Sequence, residues 1–393
     1  MHILISPNAF KNSLDADAVA AAIEKGLQQS NLNCTTQCFP IGDGGDGTGK
    51  LIAKACSGIF INETVHDPLG REIQVSYGII DNGATAVIEM ATASGLHLIK
   101  DAERDPLRSS SFGTGELIKK ALDRKVTKII LCVGGSATID GGTGILASLG
   151  IRFLDENREL LNYIPLTLGN MAFIDVSGLD KRVNNCEIII ICDVSNKLLG
   201  KKGAAKIFGP QKGANEKQVN QLELFLKQFS QVSLQTTGID MTEIVHGGAA
   251  GGVAAGLYTF LNARLENGID YFLQITRFDN ALEKANLVIT GEGAIDLQTL
   301  DGKAPFGVAK KSQKRKIPVF ALAGSIPLQK NKQLAECFPV LLSINPEPLE
   351  LAVAIASTEK NLIKTGEFLG NLLQTSSVEV IVNQSIEKGL RVK

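Results

Sequence analysis

Short apolar runs alternate with amphipathic stretches of helical length at the start of the chain. The run Ile3-Leu4-Ile5 predicts a buried β-strand. After it, Val19, Ile23 and Leu27 recur every four residues, as on the buried face of a helix. Ser13 is the expected N-cap of this helix, because its hydroxyl can accept from an unpaired N–H of the first turn. This alternation is typical of an α/β layer built on a parallel sheet.

The same rhythm continues with a short apolar element at residues 38–41 and returns from about residue 286. The later elements are apolar runs of strand length separated by amphipathic segments. They comprise predicted strands at residues 287–290, 317–321 and 338–343, a helix at 303–313 and helices beyond 348. Both ends of the chain therefore contribute to one kind of layer.

The middle of the chain begins with a different pattern. Three alternating runs, at residues 59–65, 72–80 and 84–90, are joined by Asp67-Pro68-Leu69-Gly70 and Asp81-Asn82-Gly83, which is typical of antiparallel hairpins. Further elements follow: a helix at 114–124, strands at 128–133 and 187–192, a helix at 216–231 and one opened by the glycines of 247–256. We therefore predict an α/β fold with a discontinuous parallel-sheet domain (residues 1–60 and 286–393). An α/β domain with an antiparallel meander (residues 61–285) is inserted into it.

Composition and charge narrow the function. The chain has 393 residues, of which 44% are hydrophobic, and its formal net charge is −1. That balance argues against a broad nucleic-acid interface, which needs many cations. No apolar run approaches the roughly 18 residues of a membrane span, and the N-terminus lacks the features of a signal peptide. The seven scattered cysteines are expected to be reduced, so we predict a cytoplasmic protein that binds neither membrane nor nucleic acid.

Glycine is the anomaly, because about half of the 40 glycines lie in a few loops. The first loop, residues 42–50, matches the start of a Walker A motif, but Leu51 stands where a Mg²⁺-binding hydroxyl belongs. Its two aspartates would also repel phosphate. Asp43 or Asp46 is therefore either a metal or substrate-hydroxyl ligand or a solvated turn residue.

Two further loops follow predicted strands directly. Residues 134–144 carry five glycines with Ser136 and Thr138 between a strand and a short helix, which favours a phosphate cradle. Asp193 follows the strand at 187–192, where a general base, a Mg²⁺ ligand or a turn cap is expected. Both loops therefore predict a ligand-binding or catalytic site where the strands of a sheet have their carboxyl ends.

The last two loops are less specific. Residues 246–252 fit close helix packing as well as a phosphate nest, and His246 alone is more often structural than catalytic. Residues 290–296 begin like a dinucleotide fingerprint but have Asp296 where its third glycine belongs. With Glu292 and the later Lys303, this loop fits a metal-bridged phosphate better. The residues alone thus indicate a metal-dependent phosphotransferase.

The motifs also match a known family, and the match runs from about residue 1 to 375. The chain resembles the two-domain bacterial glycerate kinases of the glycerate 2-kinase type. The matching segments are Ser6-Pro7-Asn8-Ala9-Phe10-Lys11-Asn12-Ser13-Leu14, Asp43-Gly44-Gly45-Asp46-Gly47-Thr48, Glu89-Met90-Ala91-Thr92-Ala93-Ser94-Gly95-Leu96, Ser111-Phe112-Gly113-Thr114-Gly115-Glu116-Leu117-Ile118, Gly134-Gly135-Ser136-Ala137-Thr138, Cys192-Asp193-Val194, Gly209-Pro210-Gln211-Lys212-Gly213-Ala214, Ile289-Thr290-Gly291-Glu292-Gly293 with Asp296, and Gly302-Lys303-Ala304-Pro305. The resemblance implies ATP- and Mg²⁺-dependent phosphorylation of D-glycerate to 2-phosphoglycerate. It also implies that the discontinuous domain is flavodoxin-like, with the inserted α/β domain and a ligand cleft between the two.

Roles for single residues are hypotheses that rest on their place in these loops. We expect Asp193 to accept the proton of the glycerate hydroxyl, with Asp296 as the competing candidate, and Lys11 and Lys212 to neutralise phosphate or hold the substrate carboxylate. The Mg²⁺ candidates are Asp43, Asp46 and Glu292. The candidate nucleotide-binding residues are Gly134, Gly135, Ser136, Thr138, Gly291, Gly293 and Lys303.

Five positions depart from the family pattern: Asn8, Ala9, Ile139, Lys197 and Ala294. Asn8 replaces the usual aspartate and Ala294 replaces the usual arginine. Both changes would remove a charged contact near the expected site for phosphate or for the substrate carboxylate. Two alternatives therefore stay open, a non-catalytic nucleotide-binding sensor and a kinase for another small hydroxy acid. The position phosphorylated and the oligomeric state, with a homo-oligomer as one outcome, are not set by the sequence.

Overall fold

The computed structural model describes residues 1–162, 164–329 and 331–375. The chain forms two compact units. The first combines residues 1–43 with the described residues from 269 onward, and the second comprises residues 44–268. The first unit is thus discontinuous in sequence, and the second lies within it along the chain.

The first unit begins with β1 (His2–Ile5), α1 (Ala16–Gln29) and β2 (Thr35–Cys38). The predicted helix is present, but its predicted cap is wrong. Asp15 is the N-cap and accepts from the Ala18 N–H at 2.8 Å, whereas Ser13 donates its hydroxyl to the Ile355 carbonyl. A hydroxyl two residues earlier lies too far from the first turn to cap it. β2 ends at Cys38, where the predicted 38–41 element was expected to begin.

The second unit contains all three antiparallel strands expected in its first part. Its elements are α2 (Thr48–Ala55), β3 (Ile59–His66), β4 (Glu72–Ile80), β5 (Thr85–Glu89), α3 (Met90–Ser94), α4 (Phe112–Asp123), β6 (Lys128–Cys132), α5 (Thr143–Ser148), β7 (Arg152–Leu154), α6 (Pro165–Leu168), β8 (Phe173–Asp175), β9 (Glu187–Cys192), α7 (Ala204–Phe208), α8 (Glu216–Thr237), α9 (Val253–Leu261) and β10 (Arg264–Asn267).

Six of these strands form one mixed sheet in the order β10-β9-β6-β5-β4-β3. The β3–β4 and β4–β5 pairs are antiparallel, which confirms the meander, and the remaining pairs are parallel. β7 and β8 form a separate antiparallel pair. The carboxyl ends of β5, β6 and β9 therefore lie side by side, so the loops that follow them share one edge of the sheet.

The chain then returns to the first unit. Its remaining elements are α10 (Gly268–Ile275), α11 (Phe278–Leu282), β11 (Leu287–Ala294), α12 (Ala304–Lys314), β12 (Val319–Ser325), α13 (Lys332–Cys337), β13 (Val340–Ser343), α14 (Leu351–Ala356) and α15 (Thr358–Gln374). All five strands are parallel, in the order β13-β12-β11-β1-β2. Counted within this sheet, the order is 2-1-3-4-5, which is consistent with flavodoxin-like sheets.

The α/β class and the interrupted parallel sheet are confirmed. The junctions between the units fall at residues 43/44 and 268/269, whereas the sequence pattern placed them near residues 60 and 286. The difference arises from helices at the junctions. α2 packs on β4 and β5 of the second unit, and Ile269 of α10 packs against Gly307 of α12. Hydrophobic periodicity identifies a helix without identifying the sheet it covers.

Each unit has its own apolar core. In the first, β1, β11 and β12 contribute side chains that pack with those of α1 and α15. α1 and α15 approach closely, because a Cβ on Gly26 would lie 2.2 Å from the Ile363 carbonyl oxygen. In the second, the mixed sheet packs against the helices α4, α5, α8 and α9. Among the described residues, no helix combines the length and apolarity needed to cross a membrane.

Candidate active site

In the first unit, the candidate residues gather where β1 and β11 end. Beyond β1 the pairing continues, since Ser6 N–H donates to the Ile289 carbonyl at 2.7 Å and Asn8 N–H to the Gly291 carbonyl at 2.8 Å. β2 and β11 flank β1 on opposite sides, so the strand order reverses direction here. Ligands of open α/β sheets bind at the carboxyl ends of strands at such a reversal.

Glu292 is the central carboxylate of this edge. It is 8% exposed and accepts from the Thr299 hydroxyl at 2.8 Å. The pKa of Glu292 is raised to about 7, mainly by burial and to a smaller extent by the charge of Asp43. The hydrogen bond from Thr299 and the charges of Lys303 and Lys11 oppose this rise. The predicted residues Lys11, Asp43, Glu292 and Lys303 therefore lie near enough to interact electrostatically. Two carboxyl groups and two lysines therefore share this edge.

Asn8 connects the two strands' ends to Asp43. Its amide donates to a carboxylate oxygen of Asp43 at 2.9 Å, while its own carbonyl accepts from the Ala9 N–H at 2.8 Å. Both ends of the amide are used, so its orientation is fixed. A carboxylate at position 8 would face that of Asp43 and would need a proton or a cation between them. Neutral Asn8 removes that requirement.

The two glycines of the 290–296 loop, Gly291 and Gly293, have different structural surroundings. A Cβ on Gly291 would lie 2.3 Å from the Leu322 carbonyl oxygen, so close pairing with β12 excludes a side chain there. Gly293 instead faces the turn that carries Lys11. The backbone nitrogen of Lys11 lies 3.6 Å from the position that a Cβ on Gly293 would take. α12 begins only at Ala304, so no helix N-terminus follows the glycines directly, unlike in a dinucleotide fingerprint.

In the second unit, the first two glycine loops pack directly on each other. Gly134 N–H donates to the Gly44 carbonyl at 2.9 Å, and a Cβ on Gly134 would lie 2.4 Å from the Gly45 Cα. A Cβ on Gly135 would lie 1.7 Å from a carboxylate oxygen of Asp46. The structure thus brings Asp46 against the predicted phosphate loop. Both glycines are required by this close approach, whether or not they also bind phosphate.

Glu89, at the end of β5, occupies the start of α2. Its carboxylate accepts from the N–H groups of Gly47 at 3.1 Å and Lys50 at 2.8 Å. Burial is the main factor that raises the pKa of Glu89, and these hydrogen bonds lower it. A helix N-terminus favours a negative charge, and here a carboxylate of the same chain supplies it. The loop that resembles a Walker A motif therefore offers these two N–H groups to Glu89 and not to a phosphate.

Lys212 lies in the interior beside the second glycine loop. It is 4% exposed, and its ammonium donates to the Ser136 hydroxyl at 2.9 Å and to the Thr138 carbonyl at 2.8 Å. Burial lowers the pKa of Lys212 to about 7, while the charge of Asp140 raises it. The Thr138 hydroxyl is buried and has no hydrogen-bond partner among the described residues. The structure therefore joins three predicted residues in one polar cluster.

Asp140 is a fully buried carboxylate that the sequence reasoning missed. It accepts from Ser111 through both N–H (2.8 Å) and hydroxyl (2.6 Å), and from the N–H groups of Gly142 (3.1 Å) and Gly144 (3.3 Å). Burial raises the pKa of Asp140, and these bonds oppose the rise. Because Ser111 precedes α4 and Gly142 precedes α5, one carboxylate holds the starts of both helices.

Asp140→Ala should lower the free energy of unfolding by about 3 kcal/mol, because several buried donors lose their acceptor at once. Asp140→Asn should cost less, since its carbonyl oxygen can still face Ser111 and only the bond to Gly142 is lost. Urea denaturation of both variants measures the difference. An alanine variant as stable as the wild-type protein would contradict the role of Asp140 in holding the two helix starts.

Asp193 follows β9 and is exposed. β9 pairs with β6, so Asp193 and the loop at residues 134–138 leave neighbouring strands at the same sheet edge. Asp296, the competing candidate, lies after β11 in the first unit. Among the described residues, no group of three or more acidic, histidine or cysteine side chains is arranged to hold a metal ion.

Three positions that depart from the family pattern have clear environments. Ile139 is fully buried in the core of the second unit, where an amide would need partners. Lys197 forms an ion pair with Glu243 at 2.7 Å. Ala294 is the last residue of β11 and is exposed. Its small side chain, in place of the arginine usual in the family, therefore leaves no cavity in the core.

The comparisons with known proteins agree with one another. The sequence model described as the glycerate kinase family matches residues 3–374. A glycerate kinase of Bacillus subtilis (strain 168) is 40% identical over 93% of this chain and 96% of its own length. A glycerate 2-kinase of Escherichia coli (strain K12) is 42% identical over 83% of this chain and 86% of its own. A crystal structure described as a glycerate kinase 2 from Salmonella typhimurium LT2 is 38% identical, with a TM-score of 0.81, and the match covers 96% of this chain and 99% of that one.

Proposed function

Because the chain belongs to the glycerate kinase family and is therefore a small-molecule kinase, we propose that it transfers the γ-phosphoryl group of ATP to the 2-hydroxyl of D-glycerate. The product is then 2-phosphoglycerate. The observation that carries the proposal is the buried ammonium of Lys212, which donates into the glycine-rich loop after β6. Phosphoryl transfer depends on positioned cations and N–H groups that stabilise charge on the phosphoryl oxygens.

Asp193 acts in this proposal as the proton acceptor for the substrate hydroxyl. Its place after β9, on the strand next to β6, is the support for that role. Asp193 is exposed to solvent, whereas the carboxylate of Asp140 is buried and accepts four hydrogen bonds. Lys212 neutralises the transferred phosphoryl group or holds the substrate carboxylate. Asp296 remains the alternative base.

The first unit supplies carboxylates and cations suited to a nucleotide with Mg²⁺. Mg²⁺ prefers oxygen ligands and is bound mostly by one or two carboxylates together with substrate phosphates. Glu292 and Asp43 fit that donor set, and Asp46 is a third candidate in the second unit. Lys11 and Lys303 then face the phosphates as counter-charges. When bound, Mg²⁺ would neutralise charge on the phosphate oxygens.

Glu292→Gln tests this assignment. The amide keeps the size of the side chain and can still accept from the Thr299 hydroxyl, but it loses the anionic oxygen. We expect the Mg²⁺ concentration for half-maximal activity to rise about tenfold, as for the loss of one interaction of about 1.4 kcal/mol. The unfolding midpoint should stay equal or rise, because a buried carboxylate is removed. A Mg²⁺ titration at saturating ATP measures the first effect, and an unchanged Mg²⁺ requirement would remove Glu292 from the set of ligands.

A coupled ADP-release assay with D-glycerate and Mg²⁺-ATP tests the activity itself. ADP release that requires D-glycerate supports the proposal. Binding of ATP without turnover on D-glycerate or related acids would favour the nucleotide-binding sensor. Faster turnover with tartronate or glycolate would favour a kinase for another hydroxy acid.

A further inference from the structure

One glycine-rich segment takes no part in the proposed chemistry, namely residues 246–252. It packs on the loop that carries Thr138. A Cβ on Gly251 would lie 2.2 Å from the Thr138 carbonyl oxygen, and the Gly251 carbonyl accepts from the Gly141 N–H at 3.0 Å. Of the two interpretations that the sequence leaves open for this segment, close packing is what these contacts describe.

The same segment also holds the loop that carries Asp193. The His246 ring nitrogen Nδ1 lies 2.6 Å from the Val194 carbonyl oxygen, one residue after Asp193. Gly248 N–H donates to the Asn196 carbonyl at 2.8 Å. No helix or strand is formed by residues 193–197. The backbone of this loop is therefore held in place partly by two hydrogen bonds from one short segment.

The protonation of His246 follows from its partner. A carbonyl oxygen only accepts hydrogen bonds, so Nδ1 must carry the hydrogen. His246 also has a φ of 68°, in the left-handed region that non-glycine residues rarely adopt. Two glycines follow it directly, and a glycine would avoid this strain. The use of the histidine side chain at this position is its hydrogen bond to the Val194 carbonyl, which a glycine could not make.

Gly248 is required for a different reason. Its backbone is right-handed, with a φ of −77°, so no special conformation demands a glycine. A Cβ there would lie 2.4 Å from the Lys197 carbonyl oxygen and 3.0 Å from that of Asn196. Any side chain would push away the loop that the Gly248 N–H holds.

We propose that His246 and Gly248 are positioning residues that fix the loop of Asp193 at the end of β9. The inference rests on the proposed role of Asp193 as proton acceptor. His246 fixes the Val194–Ser195 peptide through the Val194 carbonyl, and Gly248 fixes the Asn196–Lys197 peptide through the Asn196 carbonyl. Neither residue needs to contact substrate. By holding the backbone of this loop, they set the direction in which the Asp193 side chain points at the end of β9.

Activity measurements on three variants test the proposal. His246→Ala and Gly248→Ala should each lower kcat about 10- to 100-fold, with the KM values for ATP and D-glycerate within about threefold of wild type, because misplacement by about 1 Å can cost 10²-fold. His246→Asn should recover most of the loss. The asparagine amide nitrogen occupies the same place along the side chain as Nδ1, and asparagine tolerates a positive φ. Gly169→Ala is the matched control and should be unchanged, since a Cβ there meets no atom within 4 Å.

A readout independent of turnover is amide hydrogen exchange of the unliganded protein. In His246→Ala, exchange should accelerate at the Gly248 amide and in residues 194–197, and stay unchanged in the core strand β6. Equal exchange in the variant and the wild-type protein would overturn the proposal, as would a kcat for both alanine variants within twofold of wild type.

The double variant separates this inference from the function on which it rests. If His246 acts through Asp193, Asp193→Asn with His246→Ala should be no slower than Asp193→Asn alone. Losses that multiply would show that His246 acts by another route and would overturn the inference. If Asp193→Asn itself keeps wild-type activity, the proposed base is wrong, and the exchange experiment still decides whether His246 holds the loop.

Discussion

Asp193→Asn should lower kcat about 10²- to 10⁴-fold, the range over which a positioned general base contributes. The amide has nearly the shape of the carboxylate, but it accepts no proton from the attacking hydroxyl. Asp193 is exposed at the end of β9 and contributes no side chain to the core. The thermal unfolding midpoint and the KM for ATP should therefore stay near their wild-type values. Steady-state kinetics with ADP release, together with thermal unfolding, measures both.

Two other aspartates serve as comparisons for that variant. Asp101→Asn removes a carboxylate that is 88% exposed in the same unit and should leave kcat unchanged. Asp296→Asn tests the competing base after β11. If Asp296→Asn lowers kcat by orders of magnitude while Asp193→Asn does not, the two roles must be exchanged.

Lys212→Met should lower kcat/KM about 10³-fold, the effect of losing one preorganised donor to the charge of the transition state. Methionine has a similar length, so the buried space stays filled, but it supplies no charge and no donor to Ser136 or Thr138. Lys212→Arg should not rescue activity, because a guanidinium is larger than the ammonium it would replace in a site that is 4% exposed. Retention of wild-type kcat/KM by the methionine variant would exclude Lys212 from the reaction.

The same lysine predicts a dependence on pH. With its pKa lowered to about 7 by burial, Lys212 is charged below that pH and becomes neutral as the pH rises through it. If the ammonium is needed, kcat/KM should fall about tenfold per pH unit above 7, since kcat/KM reports the free enzyme. In Lys212→Met this falling limb should be absent from the remaining activity. A pH profile that stays flat between 7 and 9 would contradict the requirement for a charged Lys212.

The sequence was sufficient for the strands whose ends carry the candidate residues, namely β1, β6, β9 and β11, but not for every element, since α2, β7, β8 and β10 were not predicted. β9 and its following aspartate were predicted at their observed positions, because an uninterrupted run of isoleucines ends at Cys192. The junction of the two units was harder to place. Whether α2 belongs with β2 or with β5 depends on packing partners distant in sequence, and periodicity carries no such information.

The cluster around Lys212 shows a second limit. Asp140 lies in a glycine loop, as other candidate acids do, and nothing in the sequence of that loop sets it apart. What sets it apart is that four donors surround its carboxylate, and two of them belong to Ser111, 29 residues earlier. Glu89 was overlooked for the same reason, since its partners belong to the start of α2. The signal that could have found both is a carboxylate that ends or follows a buried strand with no lysine or arginine nearby in sequence.

The glycine loops have two physical origins. Gly134, Gly135 and Gly291 lack side chains because another backbone or carboxylate lies within 2.4 Å of their ideal Cβ positions. Close packing of loops thus accounts for much of the glycine content, and phosphate binding is an additional proposed use of the same loops. A high density of glycines therefore indicates that backbone segments pack closely there, and it does not by itself indicate a ligand-binding site.

Identification of the product tests the central claim most directly. We predict that the protein with D-glycerate, ATP and Mg²⁺ yields a phosphate ester on the carbon that bears one hydrogen. Its proton-coupled ³¹P NMR signal is then a doublet, as for 2-phosphoglycerate. A triplet would place the phosphate on the CH₂ group, as in 3-phosphoglycerate, and would contradict the proposed position of transfer. No phosphate ester signal under conditions in which ATP binds would contradict the kinase assignment itself.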